Sequence, residues 1–291
     1  PIIILTARGQ SVDRDAALEV GADEYLAKPV TMAELLEQVN SLLARKSAQP
    51  SGPGGGVVAM ISLRGGVGVT TLTANLAALC ARQRPEQVCL VDLCPSSGHA
   101  ALQLGLRPDP NWSALAMLTG DPGEAAMGNY LLAHPAGLHL LAAPFVPVSG
   151  EGLNREIVLA ILYALRRSFV TVVVDLPSVL TTGVLAVLES ADAIGVVVTA
   201  DPPTIQTTLG TLQAMKSLAS KVRLVLNQVV PGAPLPTEAL ERMLKQPFAA
   251  VIPYDPAQAQ TLAQGNPLAL AAPESPLAQG AARLAEKLGL V

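Results

Sequence analysis

From residue 57 onward the chain alternates short, unbroken apolar runs with longer mixed segments. The runs are VVAMIS (57–62), VCLVDL (88–93), LHLLAA (138–143), VTVVVDL (170–176), AIGVVVT (193–199), VRLVLN (222–227) and FAAVI (248–252). Strands covered on both faces need this continuous apolar pattern, without polar alternation. Most of the intervening segments are long enough for a crossover helix. The predicted fold class is therefore α/β: a mainly parallel sheet with helices on both faces. In such sheets ligands sit beyond the carboxyl ends of the strands. Arg64 to Thr71, Asp92, Asp175 and Asn227 all fall at such ends.

The first 46 residues carry a smaller version of the same rhythm. PIIILTA reads as a buried strand, SVDRDAALEVG (11–21) as a helix capped by Ser11 and stopped by Gly21, and EYLAKP as a second strand. TMAELLEQVNSLLARK (31–46) follows as a helix, with Thr31 and Glu34 at capping-box spacing and an apolar stripe at 32, 35, 36, 39, 42 and 43. Two strands cannot close a core of their own, so this is a partial α/β fragment. SAQPSGPGGG (47–56) has no periodicity and reads as a flexible linker to a large domain at 57–291.

Composition narrows the function. Half the residues are hydrophobic and 14% are charged, the profile of a packed globular chain. A net charge of −4 and 3% aromatics argue against a nucleic-acid partner, which needs a basic face or stacking rings. Cys80, Cys89 and Cys94 are odd in number and lack CxxC spacing, which fits a reducing cytoplasm. No apolar run approaches the ~20 residues of a membrane span. There is no signal-peptide pattern, and without an initiator Met the natural start is expected upstream of Pro1.

The chemistry concentrates in SLRGGVGVTTLT (62–73). Backbone N–H groups converging at a helix N-terminus bind phosphate, and glycine lets the backbone come close. Gly65, Gly66 and Gly68 meet that need, and Thr70 and Thr71 open the helix. The general phosphate-loop pattern ends in Gly-Lys-Ser/Thr. Here the lysine is Val69, and Leu63 stands where the first glycine belongs.

RGGVGVTT resembles the deviant Walker A motif of the MinD/ParA group of P-loop ATPases, KGGxGKTT. LVDLCPSSGHA resembles their first switch, VVVDLP their Walker B strand, LVLNQV their adenine-recognising strand, and IPYDPAQAQTLAQGNPLA their closing loop. Within that group VDLCPSSGHAALQLGLRP and the small N-terminal piece resemble the CpaE/TadZ branch of Flp/Tad pilus assembly proteins. The first 46 residues are similar to the second half of a response-regulator receiver, with Thr6 as the switch hydroxyl and Lys28 before a frequently cis proline.

The resemblance implies ATP or ADP with Mg²⁺ as cofactor. Arg64 takes the place of a lysine that reaches the partner's phosphates across a dimer, keeping its charge. Gly65, Gly66, Val67, Gly68 and Val69 form the cradle; Thr70 ligates Mg²⁺ and Thr71 meets an α-phosphate oxygen. Asp175 with Asp92 holds the metal through water. Asn227 faces the adenine edge, and the loop from Pro253 to Asp255 covers the base. Val69 cannot make the lysine's phosphate contact, and Cys94 stands where a second switch acid would position water. The expectation is weak nucleotide binding with little or no hydrolysis, and Asp92 is the one candidate left for a catalytic role.

The implied role is a cytoplasmic localisation or assembly factor of a Flp/Tad pilus, working with pilus or secretion machinery. It would be a homodimer recruited at most peripherally to the inner membrane or a cell pole. The last helix, PLAQGAARLAEKLGL, is expected to pack on the core. A working partitioning ATPase and a receiver-driven signalling module are the alternatives.

Overall fold

In a computed structural model the chain divides into two compact units, residues 1–54 and 55–291. The structure describes residues 2–6, 24–32, 34–36, 38–39, 55–96, 98–117, 124–148, 152–232 and 235–291.

In the first unit β1 (Ile3–Thr6) pairs in parallel with β2 (Glu24–Ala27), Ile3 opposite Glu24 and Thr6 opposite Ala27. The Lys28 amide donates to the Thr6 carbonyl at 2.7 Å, and the Lys28–Pro29 peptide is cis. Thr31 and Glu34 form the reciprocal capping pair: the Thr31 amide donates to Glu34 Oε2 at 2.9 Å, and the Glu34 amide to Thr31 Oγ1 at 3.2 Å. The helix expected over 11–21, most of the 47–56 segment and the helix beyond residue 39 lie outside the described residues.

The second unit is built on one eight-stranded sheet. Its strands are β3 (Gly56–Ile61), β4 (Val88–Asp92), β5 (Leu131–His134), β6 (Leu138–Leu141), β7 (Thr171–Asp175), β8 (Ala193–Val198), β9 (Val222–Asn227) and β10 (Phe248–Ile252). Their spatial order is β10-β9-β8-β3-β7-β4-β6-β5, all parallel except β5 against β6. The fold is thus α/β with a mainly parallel sheet.

Strand periodicity sorts the core into two layers. From β3, Val57, Ala59 and Ile61 enter one apolar cluster, while Val58 and Met60 enter the other. The first layer is roofed by α2 (Arg155–Ser168) and α3 (Thr182–Ser190), the second by α1 (Val69–Gln83) and α4 (Pro276–Lys287). Helix α4 buries Leu277, Ala278, Gly280, Ala281, Leu284 and Ala285 along one face, so the last helix is spent on the core.

Strand β5 was not expected. It is a four-residue edge strand turned back by Pro135-Ala136-Gly137, with Gly137 at φ +77° and its amide donating to the His134 carbonyl at 2.9 Å. A three-residue loop with a left-handed glycine is a known hairpin connection. That signal was present in the sequence between YLLAH and LHLLAA.

Strand β3 lies between β7 and β8, and the chain runs from it past β7 to β4 before returning. The order therefore reverses around β3, and a crevice opens beyond its carboxyl end.

Candidate nucleotide site

Three neighbouring strand ends and one loop build this crevice. After β3 the loop from Ser62 to Gly68 leads into α1, with Gly66 at φ +79° and Gly68 at φ +90°. A Cβ on Gly68 would collide with Asn227 Nδ2, so that position needs glycine twice over, for its φ and for the close approach. Gly68 caps α1 without a side-chain acceptor, and no acid stands in the first helical turn. The opening N–H groups of a helix have no intrahelical partner. Left without a built-in carboxylate, this end suits an external anion.

Opposite the loop, Asp92 and Asp175 end β4 and β7 and are register partners. Both are buried, at 1% and 4% exposure. Asp92 is well supported: its Oδ1 accepts from the Cys94 amide and its Oδ2 from the Ala100 amide, both at 3.0 Å. Gly98 lies so close that a Cβ there would strike Asp92 Oδ2. The Trp112 indole donates to the Asp92 carbonyl at 2.7 Å and anchors the strand end from the other side. Asp175 is supplied differently: its Oδ1 is buried with no hydrogen-bond partner.

The electrostatics follow. Burial raises the Asp92 carboxyl above the usual carboxylate range, against the pull of its backbone donors and His99. Burial and then the Asp92 charge push Asp175 well above that range, with the Thr70 hydroxyl acting in the opposite direction. A raised folded-state pKa favours the protonated form of the fold. This contribution is present at low pH and is lost as pH climbs from the ordinary Asp value through the folded one. Without ligand, Asp175→Asn is expected to raise the thermal midpoint at neutral pH by a few degrees, since about 1 kcal/mol moves a domain of this size by about 2–4 °C. It should also flatten the fall of the midpoint between mildly acidic and neutral pH. Calorimetric scans across that range check this, and a lower midpoint at neutral pH would refute it.

A cavity of about 360 Å³ joins the loop to the carboxylates, lined among others by Arg64, Gly66, Val69, Thr70, Cys94 and Asp175. Val69 opens α1 and lies half-buried against the core, with its methyls where an ammonium was expected. Arg64 is exposed, and its charge helps Thr199 and Thr204 hold Asp201 below the usual carboxylate range against the opposing effect of burial. Burial pushes the Cys94 thiol up. Cys80 and Cys89 are pushed by burial to about 11 and about 12, so no thiol here is primed as a nucleophile.

The adenine-side residues are placed with more structure than chemistry. Asn227 ends β9, and its Nδ2 donates to the Val67 carbonyl at 2.8 Å, tying the phosphate loop to the sheet. The Pro253–Asp255 loop follows β10, the neighbouring strand. Asp255 is buried, accepting from the Ala257 amide at 3.0 Å and the Leu277 amide at 3.3 Å, so both oxygens fix backbone. Thr6 and Lys28 belong to the other unit, at the ends of β1 and β2. Sequence reasoning missed Gly98, Trp112 and Gln103, which hold Asp92 and Thr71 in place. Only the glycine had a local signal.

A family model described as the CobQ/CobB/MinD/ParA nucleotide binding domain matches residues 58–268. The chain belongs to this family. An uncharacterised Mycobacterium tuberculosis protein is 35% identical over 181 residues, covering 62% of this chain and 49% of that protein. The chain thus spans about half the length of that relative. The chromosome-partitioning ATPase Soj of Thermus thermophilus is 31% identical, over 79% of this chain and 94% of its own. In fold, the septum site-determining protein MinD complexed with Mg-ADP from Pyrococcus horikoshii matches with a TM-score of 0.62 at 20% identity, over 80% of this chain and 95% of that one.

The residues present fit a magnesium nucleotide. The orphaned Asp175 Oδ1 and the second buried carboxylate call for a cation, and the glycine cradle at an uncapped helix end calls for an anion. Among the described residues no cluster of three acidic, His or Cys side chains could hold a metal alone. That is usual for Mg²⁺, which leans on phosphates and water.

Proposed function

We propose that this protein binds ATP or ADP with Mg²⁺ weakly, hardly hydrolyses it, and serves as a CpaE/TadZ-like localisation or assembly factor of a Flp/Tad pilus. One observation carries the nucleotide part: the valine at position 69 lines a cavity whose other groups suit a magnesium nucleotide. Thr70, with Asp175 and Asp92 acting through water, would hold the cation. Backbone amides from Gly65 to Val69 and the Thr71 hydroxyl would hold phosphate, and Asn227 and the Pro253–Asp255 loop would border the base. The magnesium ion, when bound, neutralises phosphate charge. The chain's own part is to orient the phosphates and exclude water, and without the lysine and a water-positioning acid it stops there. The Mg-ADP complex of the MinD relative supports the cofactor class.

The pilus role is supported by VDLCPSSGHAALQLGLRP and by Thr6 and Lys28 at the paired strand ends of a receiver-like piece. In this reading contact with the inner membrane or a cell pole is peripheral; no helix among the described residues is long and apolar enough to cross a membrane. The acidic balance of −4 disfavours DNA as a partner and with it the partitioning reading.

A homodimer completes the proposal. Exposed Val179, Val229, Val230 and Tyr254 follow the carboxyl ends of β7, β9 and β10, on the same side of the sheet as Arg64. Light scattering on the 291-residue chain should give a dimer mass in MgATP. A monomer at every concentration, with or without nucleotide, refutes the dimer. Co-purification with pilus components from a native host tests the cellular role, and recovery with partitioning proteins instead would overturn it.

A further inference from the structure

Gln103 closes the short helix Ala100–Gln103 that follows the Asp92 loop, and it is buried at 6% exposure. Its Nε2 donates to Thr71 Oγ1 at 3.1 Å, joining segments 32 residues apart. A threonine hydroxyl has one hydrogen and two lone pairs. A donor fixed on one lone pair leaves the hydrogen to find an acceptor elsewhere.

The nearest local acceptor already carries one donor. A helical threonine usually turns its hydroxyl back to the carbonyl four residues earlier, as Thr73 does to Val69 at 3.2 Å. For Thr71 that carbonyl belongs to Val67, which accepts from Asn227. The Thr71 carbonyl accepts from Asn75 Nδ2 at 2.8 Å. At the other end of the same short helix, the Ala100 amide donates to Asp92 Oδ2. One turn of helix therefore spans from the buried Asp92 carboxylate to the Thr71 hydroxyl.

We infer that Gln103 is a positioning residue for nucleotide: by donating to Thr71 Oγ1 it presents the Thr71 hydrogen to a phosphate oxygen. This rests on the nucleotide reading above. Gln103 falls within VDLCPSSGHAALQLGLRP, but the resemblance assigns it no role.

The test uses the full chain, titrated calorimetrically with MgADP and, as a ligand without phosphates, with adenosine. The variants are Gln103→Glu and Gln103→Met, each alone and combined with Thr71→Val. A carboxylate only accepts, so in Gln103→Glu the Thr71 hydrogen turns away from the ligand. MgADP affinity should fall about ten- to a hundredfold, the worth of one charge-assisted hydrogen bond. Gln103→Met leaves the hydroxyl free to rotate and should cost only a few-fold. Adenosine affinity should not change in either. In the Thr71→Val background both Gln103 substitutions should lose their effect on MgADP.

Equal losses for the two ligands would reveal a packing role and overturn the inference. So would a Gln103→Glu loss that persists with Thr71→Val, because that pattern is plain charge repulsion. If Gln103→Glu does not fold, additivity of Gln103→Met with Thr71→Val decides against it in the same way. A parent chain that binds neither ligand overturns the nucleotide reading itself, and the inference with it.

Discussion

Steady-state phosphate release from MgATP is expected to run about 10³–10⁵ below that of a family ATPase with an intact loop, the range that one charged group on a transferring phosphoryl can supply. Two positions carry the deficit. Val69 opens α1 and lines the cavity with methyl groups, so no side-chain cation meets the phosphates there. Cys94 is half-buried, and burial raises its pKa, so it is a neutral thiol at pH 7. Its sulfur lies 3.8 Å from the Ser96 hydroxyl, too feeble a contact to orient an attacking water. Among the described residues Arg64 is the one cation lining the cavity, and its charge is partly answered by Asp201. Electrostatic stabilisation is usually the largest catalytic contribution in such sites. Turnover equal to that of an intact family ATPase, abolished by Asp175→Ala, would sink the idea.

The sequence was most legible where one physical demand set each residue. Strands buried on both faces must be apolar throughout, and so seven of the eight strands in the large sheet stood out from the sequence. The exception, β5, lies at the edge with half-buried residues, and so gives no long apolar run. Phosphate binding needs glycine and a helix start, and those sit at residues 65–71 as expected. What the sequence hid was support from a distance. Trp112 on the Asp92 carbonyl and Gln103 on Thr71 act across 20 and 32 residues, and no local pattern announces either. Asn227 and Asp255 were read as base-side residues, but the hydrogen bonds they make go to backbone of this chain. A motif identifies such residues without saying how many of their hydrogen bonds the fold has already used.

Restoring the lysine tests the cavity more directly than any deletion. Val69→Lys should tighten MgADP and MgATP by about 1.5–3 kcal/mol, a charge-assisted contact, which is about ten- to a hundredfold in affinity. The change should be tolerated. Val69 is only half-buried, so a lysine stem can lie along the same apolar surface while its ammonium reaches into the cavity. In the free protein two effects oppose each other. A positive charge at the first turn of α1 opposes the helix dipole at a cost of about 0.3–1 kcal/mol, while the buried Asp175 that lines the same cavity attracts it. The thermal midpoint of Val69→Lys should therefore change little without ligand and exceed the parent's in excess nucleotide, where tighter binding adds stability by mass action. Calorimetric titration and melting curves with and without MgADP read both. No gain in affinity, and no rise of the midpoint in MgADP, would mean that the loop from Gly65 to Thr71 is not shaped for phosphate.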